Sequence, residues 1–170
     1  MALVDVTTYY LQMLDPARLR PRSCARGDWS TRRAEKSIDI NRDFYRSVGG
    51  DWYWIDRLSW TDQRWQQYID QPGLETWVAR LDREVVGYFE LDHQPSSGVE
   101  IAYFGLLPTF IGRGLGGVLL SEAIEHAWQL DTKRVWVHTC TLDHPNALEN
   151  YLARGLEIYK IETHELALPP

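Results

Sequence analysis

The stretch Gly112-Arg113-Gly114-Leu115-Gly116-Gly117 constrains this chain more than any other. Before it, Val99-Glu100-Ile101-Ala102-Tyr103-Phe104 reads as a strand; after it, apolar residues recur at helical spacing to about Leu130. A glycine inside a helix costs roughly 1 kcal/mol, so a glycine cluster at a strand-to-helix turn is kept for what its backbone permits. Glycine allows positive φ and lets a ligand approach the chain closely. The free amides of the helix start, with the helix dipole, then make an anion site suited to a pyrophosphate. Arg113 adds a charge. A turn without a ligand is the alternative reading.

Two nucleotide readings of this turn fail. A phosphate-binding loop of the Gly-Lys-Ser/Thr type needs residues that Gly117-Val118-Leu119 does not supply. A dinucleotide fold places the turn early in a βαβ unit, with an acidic residue ending the next strand. Here the turn comes late, and the next strand, Arg134 to Thr139, runs into Thr139-Cys140. Coenzyme A is the third reading.

The rest of the chain alternates. Val4 to Met13 reads as a strand, and Asp15 to Arg33, rich in Arg and Pro, as an exposed connector. A helix is predicted over about Ile40 to Val48, broken by Gly49-Gly50, and a second, N-capped by Thr61, runs to about Ile69. Glu75 to Leu81 and Val85 to Leu91 form a hairpin about the turn Asp82-Arg83-Glu84. The long helix carries Leu115, Leu119, Ala123 and Ala127 beside Leu120, Ile124 and Trp128. Pro145 marks the first turn of a further helix, capped by Asp143 or His144 and closed by Gly155. Leu156 to Glu162 is the last strand.

Composition narrows the class. The 170 residues suit one domain, with 44% hydrophobic and 25% charged residues. A net charge of −6 discourages a nucleic-acid or membrane-surface partner. Cys24 and Cys140 stand apart with no CxxC or His/Cys cluster, so neither a disulfide frame nor a metal site is expected. No apolar run approaches the ~20 residues of a membrane helix, and residues 1–5 do not read as a signal peptide. A cytoplasmic protein is expected. Eight tryptophans and nine tyrosines are many for this length. Those at Trp52-Tyr53-Trp54, Trp60, Trp65 and Tyr68 read as core residues, or as the wall of a substrate pocket.

Two stretches carry a family resemblance. Glu100 to Gly116 resembles motif A of the GNAT superfamily of N-acetyltransferases: a strand, a hydrophobic-x-Pro step ending at Pro108, then Q/R-x-x-G-x-G/A with Gly114 and Gly116 as its glycines. Ile111 stands at the Gln/Arg position, a departure that weakens one phosphate contact. Asn146 to Leu156 resembles motif B, A-x-x-x-Y-x-x-x-G-F, with His144 where the family usually has Asn. Two motifs in order, with a strand between them, are specific. The resemblance covers about Glu75 to Ile161.

It implies a single GNAT-like domain over 1–170, with a motif-bearing core at about 75–161 and acceptor-side helices at about 38–70. The implied fold is mixed α/β: a central, mostly antiparallel sheet with splayed fourth and fifth strands, flanked by helices. The implied cofactor is acetyl-CoA. Its pantetheine arm would pair with the edge at Phe104, Gly105 and Leu106, and its pyrophosphate would rest on Ile111, Gly112, Arg113, Gly114, Leu115, Gly116 and Gly117, with Asn146 and Tyr151 nearby. Tyr151 matches the tyrosine that protonates the leaving thiolate. Glu100 and His138 are candidate bases, a water chain being the third option. Trp52, Trp54 and Glu100 are assigned to the acceptor pocket. The expected reaction is direct attack of a small-molecule amine on the thioester, with a homodimer allowed. A protein N-acetyltransferase and a non-catalytic acyl-CoA-binding module are the alternatives.

Overall fold

Strands from both ends of the chain meet in one seven-stranded sheet. The computed structural model describes residues 2–169. Its strands are β1 (Ala2–Met13), β2 (Trp29–Arg33), β3 (Leu74–Leu81), β4 (Glu84–Gln94), β5 (Gly98–Leu106), β6 (Val135–Cys140) and β7 (Glu157–Leu168). Helices α1 (Ile38–Gly49) and α2 (Asp62–Ile69) precede β3; α3 (Leu115–Trp128) and α4 (Ala147–Ala153) follow β5 and β6. The sheet order is β2-β3-β4-β5-β6-β1-β7. All neighbours are antiparallel except β5 and β6. This is the mixed, mostly antiparallel architecture expected.

Local chemistry explains most boundaries. Ser37 caps α1, accepting from the Ile40 amide at 3.4 Å, and Thr61 caps α2, accepting from the Arg64 amide at 3.2 Å. The β3–β4 hairpin closes through Asp82 (φ 50°) and Arg83 (φ 72°), the positive pair of a type I′ turn. Gly155 (φ +104°) ends α4 as expected. Its amide donates to Leu152 O and the Leu156 amide to Tyr151 O, which is a Schellman motif.

Three expectations need correction. The connector holds a strand, β2, paired with β3 from Trp29↔Leu81 to Arg33↔Trp77. Its single apolar residue hid it; as an edge strand it is defined by its partner rather than by a buried face. It shifts the count, so the splayed strands are the fifth and sixth. The connector is also pinned: the Arg20 amide donates to Arg154 O at 2.9 Å and the Arg22 amide to Ser121 Oγ at 2.8 Å. Second, β7 runs on to Leu168, paired with β1 throughout. Third, α4 starts after Asn146, leaving Pro145 in the preceding turn. Asp143 does not cap it: that carboxylate accepts from Thr139 Oγ1 at 2.7 Å and the Cys140 amide at 3.0 Å, while His144 Nδ1 accepts from the Asn146 amide at 3.1 Å.

The two sheet faces have separate cores. On one, Phe89, Leu91, Ile101 and Val137 pack with Leu119, Leu120, Ala123 and Ile124 of α3. On the other, Tyr88 stacks on Phe44 of α1 at 4.6 Å, and Tyr45, Val48 and Trp65 are buried. Tyr88 and Phe89 point to opposite faces by the two-residue period of the strand.

Gly155→Ala is expected to destabilise the fold by about 1–3 kcal/mol, because its positive φ strains an L side chain and its Cβ would meet the Arg18 carbonyl oxygen. Thermal unfolding measures this; an unchanged midpoint would mean that the connector carries no constraint there.

Candidate active site

β5 and β6 pair only at Val99↔Val135 and Glu100↔Trp136, then separate. The gap opens a cleft of about 740 Å³ that reaches from the start of α3 to the aromatic loop between α1 and α2. Phe104, Gly105 and Leu106 line it along the edge that β6 has left. The backbone groups on that edge need partners from water or a ligand.

At one end stands the glycine turn. Ile111, Gly112, Gly114, Gly116 and Gly117 line the cleft, and Gly114 takes the left-handed backbone (φ 76°) at the cap of α3. Two side chains of the turn face away from the cleft. Leu115 turns its side chain into the core, 6% exposed. Arg113 lays its guanidinium over the Phe110 ring, 5.1 Å from its centroid, outside the cleft. Arg22 and Arg154, which sequence reasoning passed over, line the cleft instead. A Cβ on Gly117 would sit 2.9 Å from Arg154 Nη1 and 3.0 Å from Arg22 Cδ. Arg154 Nε and Nη1 are buried with no hydrogen-bond partner. Burial and then the charges of Arg22 and Arg20 lower the Arg154 pKa. Converging cations, an orphaned guanidinium and helix amides fit a pyrophosphate. The signal for Arg154 was its place just before the motif B glycine. Nothing in the sequence pattern singles out Arg22.

At the parting point lie the candidate acid–base groups. Glu100 Oε1 is 3.6 Å from His138 Nε2. Burial, reinforced by the Asp92 carboxylate across the β4–β5 pair, raises the Glu100 pKa from 4.5 to about 7, against the lowering pull of Arg57. Half of the His138 side chain opens to the cleft, yet protein walls surround it, and that burial lowers its pKa despite the opposing charge of Asp143. Near neutrality the pair is thus a half-ionised carboxyl beside a neutral imidazole. Tyr151, 6% exposed, lines the cleft from α4, its ring 6.2 Å from Phe104. Burial, then Asp143, raises its pKa, so the phenol holds its proton. Asn146 lines the cleft beside it, and Asn150 Nδ2 donates to Gly116 O at 3.1 Å, tying α4 to the turn.

Trp52 and Trp54 form part of the opposite wall. Trp54 meets Tyr103 edge to face at 4.9 Å, and Trp52 meets His144 likewise at 4.9 Å. Trp65 is core, 1% exposed. The aromatic cluster therefore divides between the two readings. No group of His, Cys, Asp and Glu among the described residues is arranged to hold a metal ion, and no helix among them is long and apolar enough to cross a membrane.

Comparison with known proteins bears on the family and the fold. The L-amino acid N-acetyltransferase AaaT of Escherichia coli (strain K12) is 32% identical over 104 residues, which is 58% of this chain and 63% of that protein. The chain thus spans less than two thirds of that relative. In fold it is similar to a GCN5-related N-acetyltransferase from Kribbella flavida (TM-score 0.68, 17% identity, 96% of this chain and 59% of that one). It is also similar in fold to an aminoglycoside acetyltransferase, meta-AAC0020, from an uncultured soil metagenomic sample (TM-score 0.60, 16% identity, 74% of this chain and 86% of that one). Residues 38–156, from α1 to the residue after the α4 glycine cap, match the acetyltransferase (GNAT) family, and the chain belongs to that family.

Proposed function

We propose that this protein transfers an acetyl group from acetyl-CoA to the amine of a small molecule by direct attack. The observation that carries this reading is the single cleft that joins an arginine-lined helix start to the Glu100–His138 pair and Tyr151. Bound acetyl-CoA would supply the thioester carbon and a thiolate leaving group. Arg22, Arg154 and the α3 amides would hold its phosphates. The amine must lose a proton to attack, and Glu100, with a pKa about 7, takes it directly or by way of His138. Tyr151 lines the same cleft and would give its phenol proton to the departing thiolate, a transfer that needs the bound ligand to offset the raised phenol pKa. A cleft of about 740 Å³ is of the size that takes small ligands, which supports a small acceptor.

Gly114→Glu would set a carboxylate within reach of Arg22, whose Nη2 lies 3.0 Å from the Cβ position. We expect calorimetry to register no CoA binding by a folded variant. Unchanged affinity would move the phosphate site elsewhere.

Tyr151→Phe removes only a hydroxyl. Turnover at saturating acetyl-CoA should fall by ~10²–10⁴-fold with little change in CoA affinity. Wild-type turnover would make Tyr151 a packing residue.

The Glu100 pKa sets a pH signature. kcat/KM should rise with pH through about 7 as Glu100 ionises, and Glu100→Gln should lose that step along with ~10²-fold or more in rate. The same shift acts on stability. The folded acid holds its proton more tightly than the unfolded one, so wild-type stability should decline as pH rises from 4.5 to about 7. Glu100→Gln should escape that decline, gaining on the order of 2–3 kcal/mol relative to wild type at pH 8. Parallel wild-type and variant stability curves would mean that Glu100 titrates normally.

A further inference from the structure

Arg57 is held in an unusual setting at the acceptor end of the cleft. Its guanidinium carbon lies 3.9 Å from the Tyr68 ring centroid, 4.2 Å from Tyr103, 4.5 Å from Trp60, 5.7 Å from Trp65 and 5.9 Å from Tyr45. The Arg57 amide donates to Tyr45 Oη at 3.1 Å, fixing the backbone too. The side chain is 11% exposed, and that remnant lines the cleft.

The cage positions this cation with aromatic rings rather than with a hydrogen-bonded carboxylate. Rings offer π faces but no carboxylate. Its ion-pair contact among the described residues, Glu90 Oε1, is 3.9 Å from Nη1, and both atoms lack a hydrogen-bond partner. Glu90 is 1% exposed, and burial raises its pKa toward the neutral acid, against the pull of Arg57. A guanidinium stays charged at any working pH. Nη1 is buried beside Glu90, so what the cleft wall carries is the remaining exposed part of a rigid planar donor. Arg57 lies over the Glu90–Tyr103 pair of β4 and β5, and farther along the same two strands Asp92 and Glu100 form an acidic row suited to an ammonium. Val48, Trp52 and Trp54 add apolar wall to the same cleft.

We propose that Arg57 binds the carboxylate of the acceptor, which makes the acceptor a small amino carboxylate, an α-amino acid with an apolar side chain, its amine turned to Glu100. This rests on the acetyltransferase reading and narrows it. A fork of N–H donors matches a carboxylate in two parallel hydrogen bonds, and a side chain already immobilised loses little entropy in making them. A polycationic acceptor would instead meet a fixed positive charge at this wall.

The test compares acceptors that differ only in the carboxylate: L-phenylalanine against 2-phenylethylamine, and L-leucine against 3-methylbutylamine, with sisomicin as the polycation. Wild-type kcat/KM should favour the amino acids by about 10- to 100-fold, chiefly through KM, as expected for hydrogen bonds to a charged group. Arg57→Gln should erase that preference, and Arg57→Lys should restore part of it. Calorimetry on the CoA-loaded protein gives a readout without turnover: Arg57→Gln should weaken L-phenylalanine binding by a similar factor. Equal or better wild-type rates with the plain amines or with sisomicin overturn the proposal, and so does amino-acid binding that is unchanged in a folded Arg57→Gln. Binding that depends on Arg57, with no amine acetylated, upholds the carboxylate site and overturns the transferase reading instead.

Discussion

The parting of β5 from β6 is the constraint on which the rest of this molecule depends. The two strands are clamped at their base. The Val99 amide donates to Arg134 O at 2.9 Å, and the Arg134 side chain donates to Ser97 O at 2.9 Å and to Gln12 Oε1 at 2.9 Å. Gly98 (φ +99°) is required there, since a side chain would strike the Arg134 carbonyl. Beyond Glu100 nothing bonds the two strands. Val48 of α1 presses against Gly105 on one side, where a Cβ would collide with it. A sheet that splits must leave backbone donors and acceptors unmatched along the gap. Those groups, together with side chains from both faces, are what the cleft offers a ligand. Glu100 is the last residue of β5 paired with β6, so its carboxylate and the His138 imidazole sit at the apex of the split.

Charge is sorted along the cleft although the chain is acidic overall, at −6. Arg22 and Arg154 crowd the start of α3, where like charges depress the Arg154 pKa. Such crowding lowers stability in the free protein and is relieved by a polyanion. Asp92 and Glu100 sit at the apex, and Asp143 is fixed at the end of β6 by Thr139 and Cys140. Burial first, then the Asp92 charge, raises Glu100 into the range where it takes and releases protons near neutrality. The two ends of the cleft are thus made by opposite electrostatic choices.

Much of this was legible in the chain. Helices α1 to α4 follow from apolar spacing and from caps such as Thr61 and Gly155, which act over a few residues. The glycine turn and the Glu100, His138 and Tyr151 positions were readable because backbone freedom and titratable chemistry leave marks on residue type. What stayed hidden depends on long-range pairing. β2 has one apolar residue and exists because β3 offers it an edge. Arg22 reaches the turn because Ser121, far along the chain, accepts from its amide. Arg113, adjacent to the turn, was the nearer guess and points away. Proximity in sequence is a poor guide to which cation faces a cleft.

The aromatic excess shows why core and pocket were the wrong pair of alternatives. Trp65 and Tyr45 are buried as core residues are, yet their rings also wall in Arg57. Tyr103 belongs to β5, contacts Trp54 and lies under the same guanidinium. Behind them Tyr88, Tyr68 and Glu90 leave polar atoms buried without hydrogen bonds. A protein optimised for stability alone would do better with apolar residues there, because each orphaned polar atom costs about 1–3 kcal/mol. Burial raises the pKa of Glu90, Tyr68 and Tyr88 alike, while the charge of Arg57 pulls each of them back. The ring centroids of Tyr68, Tyr103 and Trp60 lie 3.9, 4.2 and 4.5 Å from the Arg57 guanidinium carbon, and Nη1 is buried beside Glu90. Rings drawn from α1, the loop after it, α2 and β5 thus fix one cation at the wall of the cleft.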